Sequence, residues 1–298
     1  MLLINKGFVK FYIVYVQFTA KYEKEGLSRI NRLIRALNDS GDSAVVIVEN
    51  DVDSDLNLSC RLFHCQFKVR GSNSILDFSG YEEGLAFIKK NFAIKSNDCF
   101  IFLNDTFFRA RYFDGLFRRQ FIRKIRDSIT LESPYFIGYK DKNKDKECYI
   151  GEFLFLEHFS TFFFVLNYAA LEKLSLISIN PENTKIELNN EFMIINGERS
   201  VYAVKVYSWV FRRNSDSWYR SLTFANYSQS NSTTRSYYDL KIFAVMNEHN
   251  LYVQASRSGI QLIPIFPDSQ FAFINLLKSA EFRFIAICMR FNCFNYLR

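Results

Sequence analysis

Two acid-tipped apolar runs are where the residue types and spacing of this chain could do chemistry. Residues 99–103 (CFIFL) end in Asn104-Asp105-Thr106. Residues 44–48 (AVVIV) end in Glu49-Asn50-Asp51-Val52-Asp53-Ser54-Asp55. A carboxylate flanked by small polar side chains, at the end of a buried strand, reads as a metal or phosphate site. Hard divalent cations take oxygen ligands, and open α/β sheets bind ligands outside the carboxyl ends of their strands. The same residues also read as turn chemistry after a strand. The acidic ending occurs on two strands, and two such ends on one sheet edge would build a polar crevice, which favours the site.

The elements that must position these residues alternate. Residues 11–18 form a continuous apolar and aromatic run, the pattern of a buried strand. Residues 21–37 carry Leu27, Ile30, Leu33, Ile34 and Leu37 at helical spacing. A turn at 38–42 leads to the AVVIV strand, and residues 60–69 can form a third strand. Asp77-Phe78-Ser79-Gly80 is a turn or cap before a helix over 81–92, residues 99–103 are a fourth strand, and 113–125 a basic helix. This order predicts βα units and a largely parallel sheet.

The second half is more mixed. Strands are expected at 135–139, 149–156, 192–195 and 201–207, a short helix at 168–174, a loop at 180–190 and helical spacing at 239–255. Residues 228–236 (SQSNSTTRS) are the candidate for a mobile loop. The tail at 282–298 mixes aromatic and aliphatic residues with Arg283, Arg290 and Arg298.

Composition narrows the class. The chain has 298 residues, 49% hydrophobic and 23% charged, which excludes a disordered chain. Aromatics reach 17%, while only 11 Gly and 4 Pro occur, so long regular elements are expected. The net charge of +7 favours anionic partners. RNA-binding signatures, helix-turn-helix patterns and zinc-finger spacings are missing, so nucleic acid is not the expected partner. The six Cys residues form no C-x-x-C pair and read as buried thiols of a reducing compartment. Apolar stretches fall short of the ~20 residues that span a bilayer, and the first apolar run lacks the flanks of a secretory signal. A cytoplasmic protein is expected.

The order VIVENDVDSD, FSGYEEGLAFI, IFLNDTFF resembles the nucleotide-sugar-dependent glycosyltransferases of the GT-A fold that build bacterial surface polysaccharides. In that group an Asn-x-Ser-x-Asp follows the second strand, a Gly-containing helix start comes next, and an Asn-Asp pair follows the fourth strand. Here Asn50, Ser54 and Asp55 stand at the first place, Gly80 and Gly84 at the second, and Asn104 with Asp105 at the third. The resemblance covers roughly the first 175 residues well and the remainder weakly. It implies a nucleotide-sugar-binding region at 1–175 and an acceptor-side region with the basic aromatic tail at 176–298. The family's usual metal motif is Asp-x-Asp or Asp-Asp, whereas this chain has Asn104-Asp105-Thr106.

The resemblance implies roles. Asp105 would hold Mg²⁺ or Mn²⁺ together with diphosphate oxygens, with Arg109 and Arg111 adding positive charge. Asn50, Asp51, Asp53 and Asp55 would contact the base or ribose, with Gln17 beside the base; as plain structure they are a solvated acidic loop. Gly80, Glu83 and Asn104 would lie near the sugar or diphosphate. For the base that takes the acceptor's proton, Glu157, His158 and Glu248 are candidates. The acceptor would be a polysaccharide or lipid-linked oligosaccharide, and the tail would either rest on the inner membrane surface or complete the core. A nucleotidyltransferase-like or non-catalytic nucleotide-binding protein is the alternative.

Overall fold

The computed structural model describes residues 9–19, 23–37, 43–50, 65–105, 107, 116–142, 149–150, 152–154, 156–188, 192–207, 210 and 232–266. Asp51, Asp53, Asp55, Arg109, Arg111 and the 282–298 tail lie outside the described residues.

Strands β1 (Phe11–Gln17), β2 (Ser43–Glu49), β3 (Cys65–Arg70) and β4 (Cys99–Asn104) alternate with helices α1 (Glu23–Leu37), α2 (Asp77–Asn91) and, after β4, α3 (Leu116–Ser128). Every residue of β1, β2 and β4 is buried. Such strands read as unbroken apolar runs because helices cover both faces of the sheet. Leu27, Ile30 and Ile34 of α1, with Phe121 and Ile125 of α3, pack on one face against Ile13, Tyr15 and Leu103. Tyr81, Leu85 and Ile88 of α2 pack on the other against Tyr12, Val14 and Val16.

The chain then forms β5 (Tyr135–Lys142), β6 (Tyr149–Ile150), β7 (Phe153–Leu154), β8 (Glu157–Asn167), α4 (Tyr168–Leu171), β9 (Ile186–Leu188), β10 (Met193–Ile195), α5 (Val201–Tyr207), α6 (Ser232–Arg257) and β11 (Gln261–Pro264). The central sheet has seven strands in the order β11-β5-β8-β4-β1-β2-β3. All its pairings are parallel except those of β8, which runs antiparallel to β4 and β5. The protein is therefore α/β, with a mostly parallel seven-strand sheet between helices.

Part of the aromatic load is spent at the reversed strand. Phe164 stacks on Phe102 with ring centroids 4.8 Å apart, and Phe163 meets Phe107 at 4.5 Å and Phe121 at 3.8 Å. Reversal has a second consequence. Asp141 pairs with His158 and Lys142 with Glu157, so the beginning of β8 lies beside the carboxyl end of β5.

Several sequence expectations are corrected. Residues 201–207 form a helix, not a strand. Their buried residues Tyr202, Ala203, Val206 and Tyr207 recur at helical spacing, and this tertiary stripe outweighs the β propensity of three valines. Residues 149–156 hold two very short strands, and a long strand begins at Glu157, where the sequence reading ended one. The expected loop at 180–190 contains β9, paired to β10. The third strand is described over Cys65–Arg70; residues 60–64 of the expected run lie outside the described residues.

Gly80 lets α2 lie close to β1: a β-carbon there would stand 2.7 Å from both γ-carbons of Val16. Gly80→Ala should therefore cost about 1–3 kcal/mol in chemical denaturation, the range for overpacking a tight core. Combined with Val16→Ala, the two losses should sum to less than their separate values. Full additivity would contradict the contact.

Candidate functional site

From β1 the chain steps outward through β2 and β3, then returns to start β4 on the other side of β1. The reversal makes the carboxyl ends of β1 and β4 a topological switch point, where open α/β sheets form ligand crevices. Asp105 follows β4 there. Its Oδ2 accepts a 3.2 Å hydrogen bond from the backbone N–H of Phe18, the residue after β1. Asn50, after β2, donates its N–H to the Gln17 carbonyl at 2.8 Å. The two acid-tipped ends singled out in the sequence thus flank the end of β1 side by side.

Side chains lock this edge. Asn104 donates Nδ2 to Asp77 Oδ2 at 2.6 Å and accepts from the Phe107 N–H at 3.3 Å. Asn50 donates Nδ2 to the Leu76 carbonyl at 3.2 Å and to Asn73 Oδ1 at 3.4 Å. Asn73 and Leu76 both have left-handed backbones, with φ of 54° and 50°. Such a conformation is strained for leucine, and strain of this kind concentrates at functional sites. Gly80 and Glu83, expected near sugar or diphosphate, have structural partners: Gly80 packs on Val16, and the Glu83 carboxylate accepts from the Ser72 N–H at 2.9 Å.

Beneath β1–β3 lies a buried charge cluster. Lys68 Nζ is 3.3 Å from Glu23 Oε2 and 3.3 Å from Glu49 Oε2, with these side chains no more than 4% exposed. Gln17 Nε2 donates to Glu23 Oε2 at 3.4 Å, tying the cluster to the switch point. Charges this deep persist only when paired.

On the other flank, α6 brings Glu248 to the reversed strand. Glu248 Oε1 accepts from the Thr161 N–H at 2.9 Å, and the Tyr81 hydroxyl donates to the carbonyl of the same Thr161 at 2.9 Å. Burial above all, with the Asp141 and Asp77 charges, pushes the Glu248 carboxyl up to about 8 against the hydrogen bonds from Thr161 and Ser160. Its side chain stays 15% exposed, and His158 Nε2 stands 3.9 Å away. Burial likewise raises Asp77, opposed by the Lys241 charge and the Asn104 hydrogen bond. Burial, and then the Asp77, Glu248 and Asp105 charges, raise the Tyr81 phenol. Tyr81 therefore sits in the field of both flanks of the site.

The candidate bases now separate. The His158 ring packs against His249 at 4.7 Å and is 2% exposed. Burial, followed by the His158 and Lys205 charges, drives the His249 imidazole well below its usual range. Glu157 is held by Lys140 at 2.7 Å and by the Tyr252 hydroxyl at 2.8 Å. Of the three expected bases, Glu248 combines a raised pKa with access to solvent.

An open cavity of about 410 Å³ lies beside this flank, lined by Ile179, Ile195, Asn196, Tyr202 and Met246 among others. The Tyr202 hydroxyl lies 3.4 Å from His249 Nδ1, which links the cavity wall to the His158–Glu248 pair. Among the described residues, no group of three His, Cys, Asp or Glu side chains stands ready to hold a metal ion. Asp105 therefore does not form a cation cage with protein ligands described here.

Sequence reasoning missed Lys68, Glu23, Asp77 as a site member, Tyr81 and Thr161. Lys68 had a signal: a cation between Phe67 and Val69, on a strand paired to the buried β2, needs an acid partner. Lys68→Met should destabilise the fold by about 3–5 kcal/mol, the range for breaking a buried pair. Adding Glu23→Gln and Glu49→Gln should recover much of that loss in denaturant titrations. An unchanged midpoint for Lys68→Met would contradict the cluster.

Comparison with protein-family models, curated proteins and solved structures finds no match to this chain.

Proposed function

We propose that the protein is a GT-A-like glycosyltransferase that moves a sugar from a nucleotide sugar to a polysaccharide or lipid-linked acceptor. The observation that supports this reading is a pair of carboxyl groups in different environments, one after β4 and one on α6 against β8. Asp105 lies at the switch point, bonded to the backbone after β1. Glu248 lies on the acceptor-side flank with its carboxyl pushed up to about 8. Carboxyl groups with environments that differ in this way are the signature of separated roles.

In this reading the donor's diphosphate sits at the carboxyl ends of β1 and β4, and the nucleoside extends toward Asn50 and Gln17. Asp51, Asp53 and Arg109 keep the donor-contact roles the resemblance implies. Asp105 is the carboxylate that would hold Mg²⁺ or Mn²⁺, which would neutralise charge on the departing diphosphate. The acceptor enters from the α6 side, toward Glu248. Glu248 takes the proton of the acceptor hydroxyl as its oxygen bonds to the anomeric carbon. The bond from that carbon to the diphosphate breaks, and the diphosphate leaves with the electron pair. Lys241, whose charge favours ionised Asp77, supplies positive charge on this flank. Asp77 holds Asn104, and through it the turn that carries Asp105.

A second reading has its own observation. The described residues supply one carboxylate at the end of β4, not the pair usual in the family, which suits a nucleotide-binding protein without transfer activity. The two readings separate by experiment. With a panel of nucleotide sugars and lipid-linked oligosaccharide extract, the transferase transfers, whereas the alternative binds donor without turnover.

Glu248→Gln should lower transfer by roughly 10²–10⁴-fold, the contribution of a general base, while donor affinity stays within about twofold. Asp105→Asn should weaken donor binding itself. The wild-type rate should rise with pH through about 8, because the base works only when ionised. The stability effect has the opposite sense. A carboxyl whose folded pKa is raised stabilises fully below its unfolded pKa, and that contribution is lost as pH rises toward the folded value. Glu248→Gln should therefore be less sensitive than the wild type to alkaline destabilisation between about pH 5 and 8, measured by thermal melts. A flat pH–rate profile together with full Glu248→Gln activity would remove Glu248 from the mechanism.

A further inference from the structure

The two helices on one face of the sheet carry a concentration of cations that the site does not use. α1 turns Lys24, Arg29, Arg32 and Arg35 outward or to its half-exposed flanks. α3 does the same with Arg118, Arg119, Arg123, Lys124 and Arg126. Against these stand Glu25, paired with Arg29 at 2.6 Å, and Asp127, 3.7 Å from Arg123. The remaining acid of α1, Glu23, is buried with Lys68. The two helices follow adjacent parallel strands and share one core. Arg126 donates to the Ala36 carbonyl at 2.6 Å, so their carboxyl ends adjoin and their outer surfaces form one face. Across the sheet α2 is balanced, with Glu82 and Glu83 offsetting Lys89 and Lys90.

Helix electrostatics explain only part of this. Arg35 and Arg126 lie in last turns, where the dipole favours cations. Lys24, Arg118 and Arg119 lie in or beside first turns, where it disfavours them, and α3 has no acid in its first turn. Helix stability does not account for cations at those positions. The aromatic rings of α3, Phe117 and Phe121, are buried. The face therefore offers charge without the exposed rings on which unpaired bases stack, a composition suited to a sheet of phosphates.

We propose that the outer face of α1 and α3 is a docking surface for an anionic lipid bilayer, read through its headgroup phosphates. No described helix is long and apolar enough to cross a membrane, so the contact is peripheral. It stands independently of the glycosyl-transfer reading.

Co-sedimentation of the full chain with phosphatidylcholine vesicles, with and without phosphatidylglycerol, tests this. Binding should require phosphatidylglycerol and fall steeply with added salt. The triple variant Arg32→Glu, Arg119→Glu, Arg123→Glu should bind at least about tenfold more weakly. Lys90→Glu with Lys95→Glu, on the α2 side, should bind like the wild type. Circular dichroism checks folding, and if the reversal variant unfolds, the corresponding Gln variant should still show a severalfold loss. Undiminished binding by the folded triple variant, or no preference for phosphatidylglycerol, overturns the proposal. So does an oligonucleotide that binds this face more tightly than vesicles and displaces them. Donor binding and transfer are scored separately, so failure here leaves the site reading untouched, and the reverse holds as well.

Discussion

The rest of the structure depends on one constraint: β1, β2 and β4 are buried at every position. An ionised group inside such a layer would lose its hydration without compensation. Polar function is therefore displaced to the ends of the strands, and the Phe18–Asp105 hydrogen bond fixes two of those ends against each other. Reversal of β8 completes the arrangement. It places His158 at the same edge, and Glu248 accepts a hydrogen bond from the Thr161 N–H of the reversed strand.

The buried ionisable groups fall into two kinds. Lys68 with Glu23 and Glu49 is compensated charge, closed off from solvent, and its role is to hold α1 and β3 against the end of β1. Glu248 and Asp77 are carboxyls made hard to ionise, chiefly by burial. The first kind gives a fixed edge. The second costs stability at neutral pH and is difficult to explain by packing alone, which is why Glu248 carries the catalytic assignment.

Much of the first half was legible because its signals are local. Unbroken apolar runs fit strands covered on both faces, as in 99–103, and the α1 heptad of Leu27, Ile30, Leu33, Ile34 and Leu37 is buried as its spacing requires. The acidic strand ends were visible, and Asn50, Asn104 and Asp105 do meet at the edge of β1. The second half was less legible because its structure is set by partners distant in sequence. Val201–Tyr207 has strand-forming residues but buries a helical stripe, and Glu157–Asn167 is a strand only because β4 and β5 lie on both sides of it. Tyr81 and Thr161 carry no motif at all. They become site residues only when α2 and β8 meet, 80 residues apart in the chain. Gly80 and Glu83 have structural partners of their own, and packing and turn capping use the same residue types as sugar contacts.

The central claim is that the carboxyl ends of β1 and β4 receive a nucleotide's diphosphate. A crystal structure of the chain soaked with a nucleoside diphosphate addresses it most directly. The account predicts phosphate density beside Phe18 and Asp105, with the nucleoside directed toward Asn50. Density confined to the Tyr202 cavity or to the α1–α3 face, with the Phe18–Asp105 edge empty and unchanged, would contradict it.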